Sequence, residues 1–254
     1  MSLKIAAIQH DIVWEDPVAN FERLGPQLQR AAAAGAQLLV LTEMFSTGFT
    51  MNSEVCAEPL EGPSCEFLST QATTLQVWVT GSIPTRWDDG TAYNTLVLAA
   101  PTGDLYRYKK IHPFSFSTEP EHYGSGSDFL QVEIEGIRTT FFICYDLRFA
   151  DEFWETAHST DLFVVPANWP ERRRAHWQAL LRARAIENQT YVLGVNRVGE
   201  GDGLNYAGDS ALIDPWGETL VSGASSEVLL IADVHAEVVA ETRTTFPVLQ
   251  DRRS

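Results

Sequence analysis

Residues 139–150 read TTFFICYDLRFA, an apolar, aromatic and β-branched run that stops at Cys144, Tyr145, Asp146, Leu147 and Arg148 before a helical pattern begins. A strand-length run followed by a helical pattern is the junction of a buried strand and a helix, the unit from which α/β folds are built. Similar apolar runs recur on both sides of it, at Lys4–Ile8, Gln37–Leu41, Val77–Ile83, Asn94–Leu98, Leu162–Val165, Tyr191–Val195, Ala211–Ile213 and Val228–Val234, with the central run itself taken as Thr139–Cys144. Most are bounded by Gly, Pro, Asp or Asn, the residues that end strands.

Helical patterns lie between several of them, at Val18–Ala34, Ser64–Leu75, Ala150–His158, Arg174–Gln189 and Glu237–Thr245. In the fourth, Trp177, Leu180, Leu181 and Ile186 recur at helical spacing, with Arg182 and Gln189 expected on another side. Residues 91–100 run through Gly103 into residues 105–111 as a hairpin. The pattern is α/β with parallel and antiparallel neighbours and at least two layers of helix around sheet.

The 254 residues carry no long Pro/Ser/Gly linker, charge block or fixed-period repeat, so one domain is expected, with a short tail from about residue 246. Hydrophobic residues are 44% and charged residues 20%, enough apolar material for a packed core. A formal net charge of −16 repels phosphate backbones and anionic membranes, which excludes nucleic acid and membrane as expected partners. Cys56, Cys65 and Cys144 match neither a disulfide framework nor a zinc site, which fits a reducing cytoplasm. The N-terminal MSLKIAAIQHDIVW has no secretory pattern, and no run of about 18 apolar residues occurs.

Three segments could carry chemistry. At a strand-to-helix junction, Cys144 would face a cleft at the sheet end, where a helix dipole and free backbone N–H groups favour thiolate and oxyanion. A buried core cysteine is the commoner role for such a residue. Glu43 ends the apolar LLVLTEMF run and is either a solvated cap or a desolvated acid that could act as base to a thiol. Lys110, in YKKIHPF, is either a surface charge or an ammonium aimed at a developing oxyanion.

Taken together, LLVLTEMF, YKKIHPF and CYDLRF resemble the nitrilase (carbon-nitrogen hydrolase) superfamily, whose catalytic Glu, Lys and Cys follow this chain order. RAHWQALLRARAIENQTYV and GDSALIDPWGE are also similar to family segments, so the resemblance runs from about Lys4 to about Val234. CYDLRF with PANWP and AHWxxLLxARAIENQ resembles the Nit and omega-amidase branch, and Tyr145 in place of the tryptophan usual in true nitrilases points to amides over nitriles. The resemblance implies a four-layer α-β-β-α sandwich, a homodimer joined through the helices after Cys144 and at Arg174–Gln189, and a second site glutamate. Glu119 and Glu121 in STEPEHYGSG are the candidates, and counting back from Gly126 favours Glu119.

The implied chemistry needs no metal or cofactor. Glu43 takes the Cys144 proton, the thiolate attacks an amide carbonyl, and Lys110 with the Tyr145 N–H holds the oxyanion. Ammonia leaves, and water activated by Glu43, with Glu119 helping to position it, hydrolyses the thioester. Burial and Glu43 raise the thiol pKa while Lys110 lowers it. Arg148 is implied to grip a carboxylate at the far end of a small dicarboxylate amide of the 2-oxoglutaramate or 2-oxosuccinamate type. A salt bridge from Arg148 to Asp146 or Asp151 is the structural alternative. Tyr145, Phe116, Asn168 and Trp169 are candidate pocket walls.

A carbamoyl or β-ureido hydrolase would use the same three groups on another acyl group, and a silent binding protein would keep the fold without needing them. A thiol redox protein lacks a resolving cysteine nearby. GEGDG at residues 199–203 imitates a dinucleotide loop, but no helix follows and a turn is expected. The six histidines show no metal-ligand spacing, His112 and His176 read as structural hydrogen-bonders, and Cys144 lacks the flanks of a papain-like nucleophile.

Overall fold

A computed structural model describes residues 1–253. Two seven-stranded sheets pack face to face. In the first, the order is Val228–His235, Ser2–Gln9, Leu38–Val40, Trp78–Arg86, Ala92–Ala99, Leu105–Lys109, with Glu58–Pro59 beside Trp78–Arg86. In the second it is Val198–Gly201, Leu204–Ile213, Tyr191–Asn196, Leu162–Ala167, Ile137–Phe141, Leu130–Ile134, with Thr219–Ala224 beside Leu204–Ile213. Each sheet has three parallel strands at its centre with antiparallel strands beyond them, and in the first sheet the short Glu58–Pro59 also pairs in parallel with Trp78–Arg86.

Side-chain alternation explains the layering. Leu3, Ile5, Ala7, Leu38, Val40, Leu96 and Leu98 belong to the core between the sheets, with Phe141, Val164 and Val195 from the second sheet. Their strand neighbours Ala6, Ile8, Leu39, Leu41 and Val97 pack instead with Leu24 and Leu28 of the Pro17–Ala33 helix and Leu68 and Ala72 of Pro63–Leu75. On the other outer face, Phe153 of Ala150–Thr156 and Trp177, Leu181 and Ala185 of Arg174–Asn188 cover the second sheet. The result is the α-β-β-α sandwich that the resemblance implies. Each fully buried Leu or Phe contributes about 1.5–3 kcal/mol of transfer free energy. Gly194 lets the outer helix approach closely, because a Cβ there would lie 2.6 Å from both Trp177 and Leu181.

Several local expectations change. The central strand is Ile137–Phe141 and ends before Cys144, which opens a 3-10 turn, Cys144–Arg148. The α-helix begins only at Ala150, so its dipole does not fall on the thiol. The cause is Asp146, whose buried carboxylate accepts from the Ile143 N–H at 2.9 Å and folds the chain into a tight turn. In Arg174–Asn188 the apolar face includes Arg184 and Asn188, whereas Ile186 is half exposed. Gln189, expected to point away, is buried and donates to the Phe246 carbonyl at 2.6 Å. Residues 246–251 are therefore more than a tail, since Val248–Asp251 forms a 3-10 turn and Leu249 is buried. In GEGDG, residues 199–201 belong to the strand Val198–Gly201, and Asp202 and Gly203, both at positive φ, make the hairpin turn into Leu204–Ile213. Leu130–Ile134, Val198–Gly201 and Thr219–Ala224 are strands that the apolar runs do not mark.

Candidate active site

Glu43 and Cys144 each follow a central parallel strand, one from each sheet, and the face-to-face packing brings these carboxyl ends together. Both segments turn through a left-handed residue, Met44 at φ 41° and Cys144 itself at φ 44°. Such conformations cost about 1–3 kcal/mol for a non-glycine residue and cluster at functional sites. The first bend is held by the Met44 N–H on Ser82 Oγ at 2.8 Å. Lys110 follows the Leu105–Lys109 strand, pinned by its N–H on the Asn94 carbonyl at 2.9 Å and by the Gly126 N–H on its own carbonyl at 2.8 Å.

The Lys110 ammonium donates to Glu43 Oε1 at 2.9 Å and to Glu119 Oε2 at 2.9 Å, with all three side chains at 1% exposure or less. Glu119 opens the one-turn helix Glu119–His122 and also accepts from the Phe114 N–H, whereas Glu121 is exposed. Glu43 Oε2 accepts from the Asn168 backbone N–H at 2.8 Å, and Asn168 Nδ2 donates to the Glu43 carbonyl.

Burial pushes the Cys144 thiol well above its ordinary pKa, Glu43 adds to the rise, and Lys110 opposes it. For Lys110, burial works against the charged form, but Glu119 and Glu43 outweigh it and the net shift is upward. Burial also raises Glu119, with Lys110 opposing and Glu43 reinforcing. One cation thus faces two carboxylates beside a protonated thiol.

A second buried carboxylate ties the cysteine turn to the lysine segment. Asp146 Oδ1 accepts from the His112 N–H at 2.9 Å, and Oδ2 accepts from the Tyr108 hydroxyl at 2.7 Å as well as from Ile143. His112 Nδ1 lies 3.2 Å from Asp146 and Nε2 3.2 Å from Glu152. Burial lowers the His112 pKa, but Asp146 overcomes this and the net direction is up.

Cys144 opens into a cavity of about 150 Å³ whose walls include Tyr145, Phe116, Asn168, Trp169 and Arg148. Phe116 is 77% exposed and stands at the rim. Arg148 pairs with neither Asp146 nor Asp151. It stacks on Trp169, 4.6 Å from the ring centroid, and donates to His176 Nδ1 at 3.2 Å. Tyr145 follows Cys144, so its N–H is a first-turn amide with no acceptor inside the turn. Among the described residues no group of three or more His, Cys, Asp and Glu could hold a metal, and no helix is long and apolar enough to cross a membrane.

Asn94, Arg173 and Tyr206 also belong to this site and carry no strong motif. Asn94 Nδ2 lies 2.8 Å from Glu43 and 3.3 Å from Glu119. Its sequence signal is a polar residue in the alternating series Asn94, Leu96, Leu98, on the inner face of an otherwise apolar strand. Arg173 and Tyr206 line the cavity. Burial pushes the Tyr206 hydroxyl up to about 12, with the Arg197 guanidinium, 4.6 Å from its ring centroid, opposing.

The sequence profile of the Carbon-nitrogen hydrolase family matches residues 4–244. The chain is 38% identical to the omega-amidase YafV of Escherichia coli (strain K12), over 98% of this chain and 96% of that protein. It is 32% identical to the 2-oxoglutaramate amidase of Bacillus subtilis (strain 168), over 100% and 98%. Among solved structures, a CN-hydrolase superfamily protein of Xanthomonas campestris with an arsenic adduct in its active site superposes with a TM-score of 0.95 at 37% identity, covering 100% of this chain and 98% of that one. A point mutant of the amidase of Nesterenkonia sp. AN1, with acrylamide added to its active-site cysteine, gives 0.88 at 25% identity, covering 99% and 96%.

Proposed function

The chain belongs to the carbon-nitrogen hydrolase family, and from that premise we propose that it is an omega-amidase, releasing ammonia from the terminal amide of a short dicarboxylate monoamide such as 2-oxoglutaramate or 2-oxosuccinamate. The observation that carries this reading is the contact of one buried ammonium, Lys110, with two buried carboxylates, Glu43 after a central strand and Glu119 at the start of a one-turn helix, in a site whose cavity holds Cys144 and an arginine with no carboxylate partner.

Glu43 accepts the Cys144 proton as the sulfur–carbon bond forms, and the carbonyl electron pair moves onto oxygen. Lys110 and the Tyr145 N–H stabilise that oxyanion. On collapse the carbon–nitrogen bond breaks, Glu43 returns the proton to nitrogen, and ammonia leaves. Water then gives a proton to Glu43 and its oxygen attacks the thioester. The carbon–sulfur bond breaks, the thiolate recovers the proton, and the dicarboxylate departs. The raised thiol pKa supports a step in which proton transfer accompanies attack, since a resting thiolate is disfavoured. Glu119 keeps Lys110 in place and helps position the water, while Arg148 holds the remote carboxylate. Asn168 and Trp169 shape the wall, with Tyr145 and Phe116 toward the opening.

The reading includes a cytoplasmic homodimer. Three free, buried cysteines fit a reducing compartment. Exposed Ile186, with Trp216 and Phe246 stacked at 6.3 Å, supplies apolar surface at the end of the outer helix for a second copy. A one-chain mass by light scattering at assay concentration would remove the dimer.

The deciding experiment is ammonia release from succinamate, 2-oxoglutaramate and butyramide by the wild type and Cys144→Ala. The expected result is cysteine-dependent turnover of the first two with butyramide slow. Folded protein that turns over none of them would overturn the reading.

A further inference from the structure

We propose that Arg173 shares the substrate carboxylate with Arg148, so that the clamp for the remote end is a pair of guanidinium groups; this rests on the omega-amide reading of the same site.

The first observation is a set of charges without partners. Arg148, Arg172 and Arg173 all line the cavity that holds Cys144, and among the described residues none of them forms an ion pair. In a chain of net charge −16 this is not for want of carboxylates. The next residue, Arg174, holds Asp209 at 2.5 Å, and Arg184 and Arg197 have Glu187 and Asp11. The one acidic residue of the cavity wall, Asp202, is exposed and pairs with none of the three.

Arg173 differs from its neighbours in how it is held. Its guanidinium is partly buried and lies 5.1 Å from the Phe114 ring centroid. Its backbone is fixed, with its N–H on the Pro170 carbonyl at 3.0 Å and its carbonyl accepting the Trp169 indole N–H at 2.9 Å. The same Trp169 carries Arg148 against its ring. One tryptophan therefore sets the position of one guanidinium by stacking and of the other through the backbone. Two unpaired guanidinium groups lining one cavity suit a planar, bidentate acceptor such as a carboxylate.

Electrostatics agree with the geometry. Burial disfavours the charged form of Arg173, and the neighbouring charges of Arg172 and Arg148 add to that effect. A carboxylate between Arg148 and Arg173 would relieve the repulsion and supply the missing acceptors, and an uncharged amide would do neither. Arg172 is the outermost of the three, exposed and 6.0 Å from the Phe116 ring centroid, which places it at the mouth.

The test compares succinamate with butyramide, which has a methyl group where succinamate has its carboxylate, on wild type, Arg173→Met, Arg173→Lys, Arg148→Met and the double methionine variant. Arg173→Met should lower kcat/KM for succinamate by about 10- to 100-fold, the loss of a charged hydrogen bond, and leave butyramide within about threefold. Arg173→Lys should recover only part of the loss, and the double variant should lose less than the product of the single losses. Equal losses on both amides, or an unchanged succinamate value, would overturn the shared clamp. Calorimetry of succinamate on Cys144→Ala, with and without Arg173→Met, separates the two proposals. Arg173-dependent binding without wild-type turnover would remove the omega-amidase reading and keep the clamp. Turnover with Arg173-independent binding would do the reverse.

Discussion

Asn94 donates from Nδ2 to Glu43 Oε1 at 2.8 Å, and the same nitrogen is 3.3 Å from Glu119. An amide nitrogen so placed supplies donors to two acids that otherwise share one lysine, and it has no acidic proton to add. It stands on the strand that also holds the Lys110 N–H, so it aligns the carboxylates with the ammonium.

Asn94→Ala removes one charged hydrogen bond from Glu43 and should lower kcat by about 10- to 100-fold. Asn94→Asp puts a third carboxyl beside a single ammonium and should be worse than alanine although it is closer in shape. Steady-state rates with circular dichroism as a folding control test the order. An aspartate variant as active as wild type would end the argument.

The Cys144 thiol gives a prediction with a definite sign. Burial raises its pKa well above the ordinary range and Lys110 alone opposes the rise among the nearby charges. Alkylation by iodoacetamide should therefore be slow at pH 7 and still climbing at about pH 9, above the free-thiol midpoint of about 8.5. Lys110→Met removes the opposing charge and should slow it further at every pH. A rate that levels off below pH 8 would mean a resting thiolate.

Glu43 and Cys144 were legible as residues that follow apolar, buried strands, whereas Lys110 follows the half-exposed Leu105–Lys109 and only the family resemblance singled it out. That the ends meet was not legible, since it depends on two sheets facing each other, and only the family resemblance carried it. The geometry of the cysteine turn was misread for a local reason. Asp146 takes the Ile143 N–H and delays the helix to Ala150, and nothing in the order of residue types announces that bond. Asn94 was passed over because its partners Glu43 and Glu119 are distant in sequence, and Arg173 because it stands in the run Arg172–Arg174, whose spacing singles out none of the three. Ile186 fits the helical period yet stays half exposed, because period reports a stripe and the rest of the fold decides what covers it.

His10 should give the protein a pH-dependent stability unrelated to turnover. It is fully buried, donates from Nδ1 to the Ile8 carbonyl at 3.1 Å, and burial lowers its pKa from 6.5 to about 4. The unfolded chain then binds the proton more readily between those values, so stability is complete above pH 6.5 and is lost as pH falls toward 4. From pH 7 to pH 5 the loss due to this residue is about 2 kcal/mol. Urea unfolding across that range, compared with His10→Asn, tests it. An identical slope in both proteins would show that other groups set the acid limit.

Gly126 offers the sharpest test of how Lys110 is held. A Cβ there would lie 2.3 Å from the Lys109 carbonyl oxygen and 2.9 Å from its carbonyl carbon, so the obstacle is backbone and cannot rotate away. Gly126→Ala must push the two segments apart and weaken the 2.8 Å bond from the Gly126 N–H to the Lys110 carbonyl. That moves the ammonium relative to Glu43 and Cys144, and a displacement of about 1 Å in a catalytic group costs about 100-fold in rate. The variant should fold, since the contact is local, but with kcat down by about that factor and KM for succinamate little changed, because the arginines at the far end of the cavity are untouched. A large rise in KM at constant kcat would place the effect on substrate binding. Full activity would mean that Asn94, Glu43 and Glu119 suffice to hold the lysine.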